Sequence, residues 1–227
     1  MYESVSAVGP LPRGRHDLSP EQVEADQRRR LLAAMPVALA EHGYARTTVA
    51  HVLERAGVSR RTFYEQFDDK EGCLLAAYDD AERRAWAAAS AAAAAAPAGD
   101  WEARVEAALV GALDFVAAEP DAARLFTLEA RAAGPAMAAR HSRALDRIAA
   151  ALRAGDGARR GDDGLPEGTE RALVGNVAAL AGAYVLSGAT ELLPTLVPQL
   201  ADHLLSPYRE DGTAARRASS AAARGPR

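Results

Sequence analysis

The sequence predicts an all-α fold in two parts, a small N-terminal helical domain and a larger helical domain after it. Alanine is the most frequent residue, aromatic residues make up only 5% of the chain, and runs of β-branched residues are almost absent. That composition favours helices over strands. Apolar residues also recur at three- and four-residue spacing between clear capping signals, which is the pattern of amphipathic helices.

Composition limits the classes of function that the chain can have. The formal net charge is -4, and between Arg15 and Lys70 nine basic and nine acidic residues cancel, so an anion-binding surface has to be a local feature. The single cysteine, Cys73, excludes an intrachain disulfide. Without a signal-peptide core or a stretch of about 18 apolar residues, we expect a cytoplasmic protein.

The first 18 residues contain prolines and glycines without periodicity, so residues 1–18 are predicted to be a flexible arm. The first helix begins at Ser-Pro-Glu-Gln. Ser19 is the predicted N-cap, Pro20 occupies the first helical position, and Gln22 completes a capping box.

Two residues interrupt this first helical pattern. Pro36 removes a backbone donor and is predicted to kink or split the helix. Gly43 is predicted to end it as a left-handed cap.

Two short helices follow. The first has Thr47 or Thr48 as its cap, an apolar stripe that includes Val52, and Gly57 at its end. The second spans about 59–66.

Ser59 caps this second short helix, and Phe63 and Phe67 lie four residues apart, on one inward face. A fourth helix starts near Lys70, capped by Asp68 or Asp69.

The alanine run 87–96 has two interpretations, a flexible linker or a continuation of the fourth helix. We favour the continuation, because alanine is the best helix former, and Pro97 then ends it. Asp100 is predicted to cap a helix that begins at Trp101. Further elements are predicted in chain order: a helix in 120–134, a helix from 135, a loop at 155–166, a largely apolar helix from 167, a proline-broken helix from 191, and a disordered tail at 208–227.

The two short helices joined by Ala-Gly-Val-Ser have the pattern of a helix-turn-helix. Such a unit places the N-terminal end of its second helix in the DNA major groove, where Arg60 or Arg61 can bond guanine. The hydroxyl of Tyr64 suits a phosphate, and so does Lys70 at the next helix N-terminus. The alternative is that the arginines are an ordinary solvated pair.

With this helix-turn-helix, the sequence resembles the tetracycline-repressor (TetR) family of bacterial transcriptional regulators. The resemblance covers roughly residues 25–78, and the matching residues are Gly43, Tyr44, Thr47, Thr48, Val49, Ala56, Gly57, Val58, Ser59, Thr62, Phe63, Tyr64, Phe67, Lys70 and Glu71. It implies a DNA-binding domain at 19–78 and a regulatory and dimerisation domain at 79–207. It also implies a homodimer that binds a palindromic operator and releases it when a small-molecule inducer binds.

Candidate site residues follow from the pattern and the resemblance together. The DNA-binding candidates are Thr47, Thr48, Arg60, Arg61, Thr62, Tyr64, Gln66 and Lys70. The large side chains available to an apolar or aromatic effector are Trp86, Trp101, Phe115, Phe126, Met137 and Tyr184, each of which is also an ordinary core candidate. The small residues that would let a partner helix approach are Gly175, Ala178, Ala179 and Gly182, in a helix that is otherwise interpreted as a central core helix.

No catalytic or metal-binding pattern stands out. The histidines form no i, i+4 pair, and no nucleophile or nucleotide-binding motif occurs, so we expect no cofactor, no metal and no enzyme activity. Cys73 is predicted to be a buried structural residue, with a redox-sensitive thiol as the alternative. The alternative function is an all-helical dimeric interaction module that does not bind specific DNA.

Overall fold

The computed structural model describes residues 19–126, 133–160 and 165–209, with the side chains of 156–160 left out. Within these ranges every regular element is helical and no strand occurs, which confirms the all-α prediction. The chain divides into two compact units, Met1–Ala77 and Tyr78–Arg227. The predicted arm lies outside the described residues, and so does the predicted tail beyond Arg209.

The first unit contains α1 (Pro20–Arg46), α2 (Val49–Ala56), α3 (Arg60–Gln66) and the start of α4 (Lys70–Ala95). Its core is formed by apolar residues from all four helices, each 8% exposed or less: Leu31, Ala34, Met35, Ala38, Leu39, Val52, Ala56, Phe63, Phe67, Cys73, Leu74 and Ala77. This core packs against one side of α3 and leaves the other side of the helix in solvent.

The start of α1 is as predicted. The Ser19 side chain accepts a hydrogen bond from the Gln22 amide, and the Gln22 side chain accepts one from the Ser19 amide at 2.8 Å, so the capping box is complete. Pro36 was predicted to kink or split the helix, and the split is wrong. Pro36 is buried inside α1, and the residue there with non-helical backbone is Gly43.

Gly43 differs from its prediction in detail. Its φ of 69° and ψ of 158° lie in a region that only glycine adopts readily, not in the left-handed helical region of a C-cap. The chain therefore turns at Gly43 and still closes a last helical turn to Arg46, where the Thr47 amide donates to the Gly43 carbonyl.

The second unit contains the rest of α4, then α5 (Trp101–Ala118), α6 (Pro120–Arg124), α7 (Pro135–Arg160), α8 (Thr169–Ser187), a 3₁₀ segment (Thr190–Leu196) and α9 (Val197–Arg209). The alanine run continues α4 as a helix to Ala95, as favoured from the sequence. The Asp100 side chain accepts from the Ala103 amide at 2.9 Å and caps α5. None of the described helices is long and apolar enough to cross a membrane.

Two predictions near the C-terminus were wrong. Residues 155–160, assigned to a loop, continue α7 to Arg160. Tyr208 and Arg209, assigned to the tail, belong to α9, and Tyr208 is buried with its ring 4.9 Å from that of Trp101. In both cases packing against Trp101 accompanies the extra helix: a methyl group on Gly155 would lie only 2.0 Å from the Trp101 indole nitrogen, so the two are in close contact.

The second unit has a core cluster of α5, α7, α8, the 3₁₀ segment and α9, centred on residues such as Leu113, Leu193 and Leu205. The α4 and α5 backbones approach closely at Gly111, where an added methyl group would lie 2.6 Å from the Ala88 carbonyl oxygen. Ion pairs join α4 to α7: Arg140 to Asp79 at 3.0 Å and Arg147 to Glu82 at 2.9 Å.

Candidate nucleic-acid interface

The turn between α2 and α3 depends on a glycine. Gly57 has φ 62° and ψ 35°, the left-handed conformation, and its amide donates to the Leu53 carbonyl at 2.8 Å. The Gly57 carbonyl accepts from Arg30 Nη2 at 3.0 Å, and a methyl group at Gly57 would lie 2.6 Å from that nitrogen. The left-handed backbone conformation therefore selects glycine, and a methyl group at this position would also require the end of the flexible Arg30 side chain to move.

The start and orientation of α3 are set by a cap and two buried rings. Ser59 Oγ accepts from the Thr62 amide at 3.0 Å and lies 2.9 Å from Thr62 Oγ1. Phe63 and Phe67 are buried with ring centroids 5.7 Å apart, which confirms the predicted inward face. With these rings in the core, the opposite side of α3 faces solvent.

Four residues of α3 are exposed, and together they are called its solvent face: Arg60, Arg61, Tyr64 and Glu65. Arg60, the first residue of the helix, lies only about 60° from Phe63 around the axis. At about 100° per residue, Arg61 and Glu65 each lie about 160° from Phe63 around the helix axis, whereas Tyr64 lies about 100° from it. Arg61 and Glu65 are therefore the side chains that project most directly away from the core. Tyr64 is 50% exposed and packs edge-on to Phe63 at 5.4 Å.

Arg61 is paired within this face. Its Nε donates to Glu65 Oε1 at 2.8 Å, although the Arg61 side chain is 88% exposed and that of Glu65 is 54% exposed. The hydrogen bond to Glu65, followed by the glutamate charge, raises the pKa of Arg61. Sequence reasoning did not include Glu65, and the i, i+4 spacing from Arg61 is the signal that would have found it.

Gln66 has a different setting from the other candidates of α3. Its Oε1 accepts from Arg28 Nη1 at 3.2 Å, and its Nε2 donates to Glu24 Oε1 at 3.0 Å. The Arg28 guanidinium also lies 4.7 Å from the Phe67 ring centroid. Gln66 thus joins α3 to α1.

The two threonines before α2 have separate roles. Thr48 is exposed and caps α2, with Oγ1 accepting from the His51 amide at 3.3 Å. Thr47 is 2% exposed, and its hydroxyl lies 2.8 Å from the Gly43 carbonyl and 3.2 Å from that of Ala38. This burial argues against a DNA contact by the Thr47 side chain in this conformation.

Lys70 binds backbone carbonyls of the segment that precedes α2. Its ammonium donates to the carbonyls of Tyr44 at 2.9 Å and Thr47 at 2.8 Å, and it lies 4.2 Å from the Tyr44 ring centroid. Burial, then the charges of Glu71 and Asp69, raises the pKa of Tyr44. An ammonium has three donors, so these two bonds leave one for another acceptor.

The effector candidates of the second unit lie in several environments. Trp101 is buried in the core cluster, against which Tyr184 packs, and Met137 is also buried. The others have specific neighbours: Arg147 stands 4.2 Å from the Trp86 ring, Arg84 stands 5.5 Å from the Phe115 ring, and Phe126 meets Tyr78 edge-on at 5.4 Å. Trp101 and Tyr184 thus share the core cluster, whereas Trp86, Phe115 and Phe126 have charged or aromatic neighbours of their own.

One face of α8 is exposed and mostly apolar. Its members share a narrow sector of the helix: Ala172, Asn176, Ala179, Leu180, Ala183, Leu186 and Ser187. Leu180 and Leu186 are each 40% exposed. Of the predicted contact residues, Ala179 lies in this sector and Gly175 and Gly182 at its edge, whereas Ala178 packs against the core cluster.

Cys73 is fully buried, and burial raises its pKa to about 12, so the thiol is neutral near pH 7. This favours the structural role predicted for it over redox sensing. Among the described residues, no group of three or more His, Cys, Asp or Glu side chains is arranged to hold a metal ion.

Comparison with known proteins agrees with this geometry. Residues 31–77 match the model of the bacterial regulatory proteins, tetR family, which confirms the resemblance seen in the sequence. That range contains the whole helix-turn-helix. No curated protein matches the chain.

Solved structures of similar fold cover both units. The fatty acid degradation regulator FadR from Bacillus halodurans is 20% identical, with a TM-score of 0.70 over 86% of this chain and 100% of that one. FadR from Bacillus subtilis, solved in complex with stearoyl-CoA, is 17% identical, with a TM-score of 0.67 over 78% and 97%. A TetR family transcription regulator from Marinobacter aquaeolei VT8 is 18% identical, with a TM-score of 0.60 over 81% and 97%. At these identities the likeness concerns the fold.

Proposed function

We propose that this chain, whose N-terminal segment is the DNA-binding domain of the tetR family, is a cytoplasmic transcriptional repressor and not an enzyme. It binds a palindromic operator as a homodimer and leaves it when an apolar small molecule binds the second unit. The observation that carries the proposal is the solvent face of α3, where two arginines and a half-exposed tyrosine stand on a helix anchored from behind by buried rings.

Recognition of DNA falls to that face. Arg60 and Arg61 are positioned to bond base edges, since the N-terminal residues of a recognition helix enter the major groove. Tyr64, Thr48 and Thr62 supply hydroxyls for phosphates, and Lys70 supplies its remaining N–H. Gln66 supports α3 from the side of α1, and the Thr47 side chain is excluded from the contact set because it is buried.

Dimerisation uses the apolar face of α8. Water-exposed leucines and alanines along one sector of a helix are the kind of surface that a second copy covers. A twofold pair then presents two α3 helices to half-sites one helical turn, about 34 Å, apart. Ile148 of α7, 41% exposed, adds apolar surface on a helix that packs against α8.

The effector is an apolar or aromatic molecule that contacts large side chains of the second unit. Trp86, Phe115 and Phe126 are partly or fully buried aromatic candidates that lie beside Arg147, Arg84 and Tyr78 respectively. The stearoyl-CoA bound to Bacillus subtilis FadR makes that compound the first probe. A ligand that prefers the DNA-free state has to weaken operator binding by the same factor by which the operator weakens ligand binding.

The central experiment is selection of bound fragments from a random duplex library by the ligand-free protein. We expect an enriched palindrome whose affinity falls steeply with salt. Arg61→Ala or Arg60→Ala should relax base preference at one position of each half-site. Arg104→Ala, which removes an exposed arginine of the second unit, is the matched control and should change neither property.

The outcome separates the two candidate functions. A selection that returns no enriched palindrome contradicts the repressor and leaves the all-helical interaction module. Light scattering tests the dimer independently: Ala183→Arg on the α8 face should shift the protein toward monomer, while Ala94→Arg on an exposed position of α4 should not. A wild-type monomer at micromolar concentration would contradict both the interface and the palindrome.

A further inference from the structure

The α3 solvent face carries a carboxylate near the C-terminal end of the helix, which is unexpected on a surface meant to approach phosphates. Glu65 is the one acidic residue within α3. It sits beside Arg61 at the point of the helix farthest from the core, about 160° from Phe63. A solvated glutamate there would repel DNA without any compensating contact.

The hydrogen bond between the two side chains restricts what Arg61 can do. Arg61 Nε donates to Glu65 Oε1 at 2.8 Å, so the guanidinium is tied to a side chain of its own helix. The two terminal nitrogens carry four further N–H donors; one of these runs parallel to Nε–H on the side of Glu65, and the edge between the two terminal nitrogens stays open. That end of the fork has the geometry of a bidentate contact to guanine O6 and N7.

From this arrangement we infer that Glu65 is a specificity-determining residue, which positions Arg61 on a guanine and keeps it from the phosphates. The inference rests on the proposed DNA-binding function. Glu65 acts in two ways: it holds the fork in one orientation, and its negative charge disfavours placement of this part of α3 against the backbone. Specificity of this kind includes a repulsive element against the wrong partner as well as an attractive one for the right one.

The Glu65 carboxylate can form a hydrogen bond with a DNA base only if that base presents a hydrogen-bond donor. A carboxylate accepts from cytosine N4 or adenine N6, and it repels the acceptor atoms O4 of thymine and O6 of guanine. The base pair next to the guanine read by Arg61 is therefore expected to present an amino group toward Glu65. That preference disappears when the charge is removed.

The test uses the full-length protein and the operator recovered by selection, together with all single-base variants of one half-site. Binding is measured by fluorescence anisotropy for wild type, Arg61→Ala, Glu65→Ala, Glu65→Gln and the double variant. Glu106→Ala, an exposed glutamate of the second unit, controls for the change in net charge. Circular dichroism and thermal melting check that each variant folds, as expected for a side chain that is 54% exposed.

Glu65→Ala should lower discrimination by about fivefold or more at the position that Arg61→Ala also relaxes. It should raise affinity for random duplex and steepen the salt dependence, because the freed Arg61 then reaches a phosphate. Glu65→Gln keeps an acceptor oxygen and should recover discrimination at the guanine. In the double variant, Glu65→Ala should add no further relaxation at the guanine position to that of Arg61→Ala, because the two residues act as a unit there.

Unchanged base preference in Glu65→Ala would overturn the inference, since the pair would then be only a solvated ion pair. Relaxation in Glu65→Ala that spares the guanine position relaxed by Arg61→Ala would overturn the positioning role, as would a failure of Glu65→Gln to recover discrimination at that guanine. These outcomes all require that wild type selects a site. A wild type without a preferred site contradicts the proposed function itself, and the two failures are thereby distinguished.

Discussion

Lys70 gives the sharpest test of how the DNA-binding unit is held together. It is the only lysine in the chain, and Lys70→Met removes its charge while keeping an unbranched apolar stem. The variant loses two hydrogen bonds, to the Tyr44 and Thr47 carbonyls at 2.9 and 2.8 Å, and the contact with the Tyr44 ring. These contacts join the start of α4 to the turn between α1 and α2.

The expected cost follows from those contacts. A hydrogen bond from a charged group contributes about 1.5–3 kcal/mol, and a partly exposed cation over a ring contributes about 0.5–1 kcal/mol. Lys70 is half-buried, so water replaces part of what is lost, and we take about 2 kcal/mol as the net loss for the unit. That corresponds to an increase of about 30-fold in the opening equilibrium of the turn.

Hydrogen exchange read by mass spectrometry measures this locally. Amides of α2 and of the segment after Gly43 should exchange about 30-fold faster in Lys70→Met, with peptides of α7 and α8 unchanged. Arg29→Met removes an exposed cation of the same unit and is the control, with an expected cost below about 0.5 kcal/mol. Equal exchange in the two variants would refute the bracing role. Loss of DNA affinity without faster exchange would make Lys70 a phosphate contact alone.

Two further predictions concern stability. Burial raises the pKa of Cys73 from 9.0 to about 12, so its contribution to stability is fully present below pH 9 and is lost as pH rises from 9 to 12. The free energy of unfolding should therefore fall less steeply between pH 9 and 12 in Cys73→Ala than in wild type. The native thiol should also resist disulfide reagents at pH 8, and prompt labelling of the folded protein would count against its burial. Gly155→Ala should destabilise the second unit by about 1–3 kcal/mol, because the new methyl group overlaps the buried Trp101 ring. Gly72→Ala is the control and should be neutral or stabilising, because its methyl group makes only an ordinary contact with Asp69. Urea unfolding followed by tryptophan fluorescence compares the two variants, and equal unfolding midpoints would contradict the close contact between Gly155 and Trp101.

Local signals in the sequence were sufficient for most of the first unit. The caps at Ser19 and Ser59, the left-handed Gly57 and the inward pair Phe63 and Phe67 all depend on residues within a few positions of each other. Such short-range chemistry can be interpreted without knowledge of the fold.

Long-range contacts account for what the sequence did not reveal. The carbonyls bound by Lys70 and the burial of Thr47 depend on how α1, α2 and α4 meet. The helix at 155–160 contradicts its own glycine-rich composition, and its neighbour Trp101 is distant in sequence. Residue type alone also could not show which neighbours each effector candidate has, because each aromatic residue is equally compatible with plain core.

The side chains of the alanine run do not fix the position of α4 along its own axis. From Ala87 to Ala96 every residue but Ser90 is alanine, so the surface that meets α5 at Gly111 is the same methyl-covered cylinder at successive turns. A shift by one turn, about 5.4 Å, would replace Ala88 with Ala92 and change little in packing.

The axial position of α4 within the second unit must therefore be encoded elsewhere. It is written in the charged residues just before the run, where Asp79 and Glu82 meet arginines of α7 and where Arg84 bonds Asp80 and Glu119. Those few ion pairs help to fix the position of α4 along its axis. A molecule that competed for them would shift α4 only by also moving the buried Tyr78, whose ring meets Phe126 edge-on, and Trp86, whose ring lies 4.2 Å from the Arg147 guanidinium.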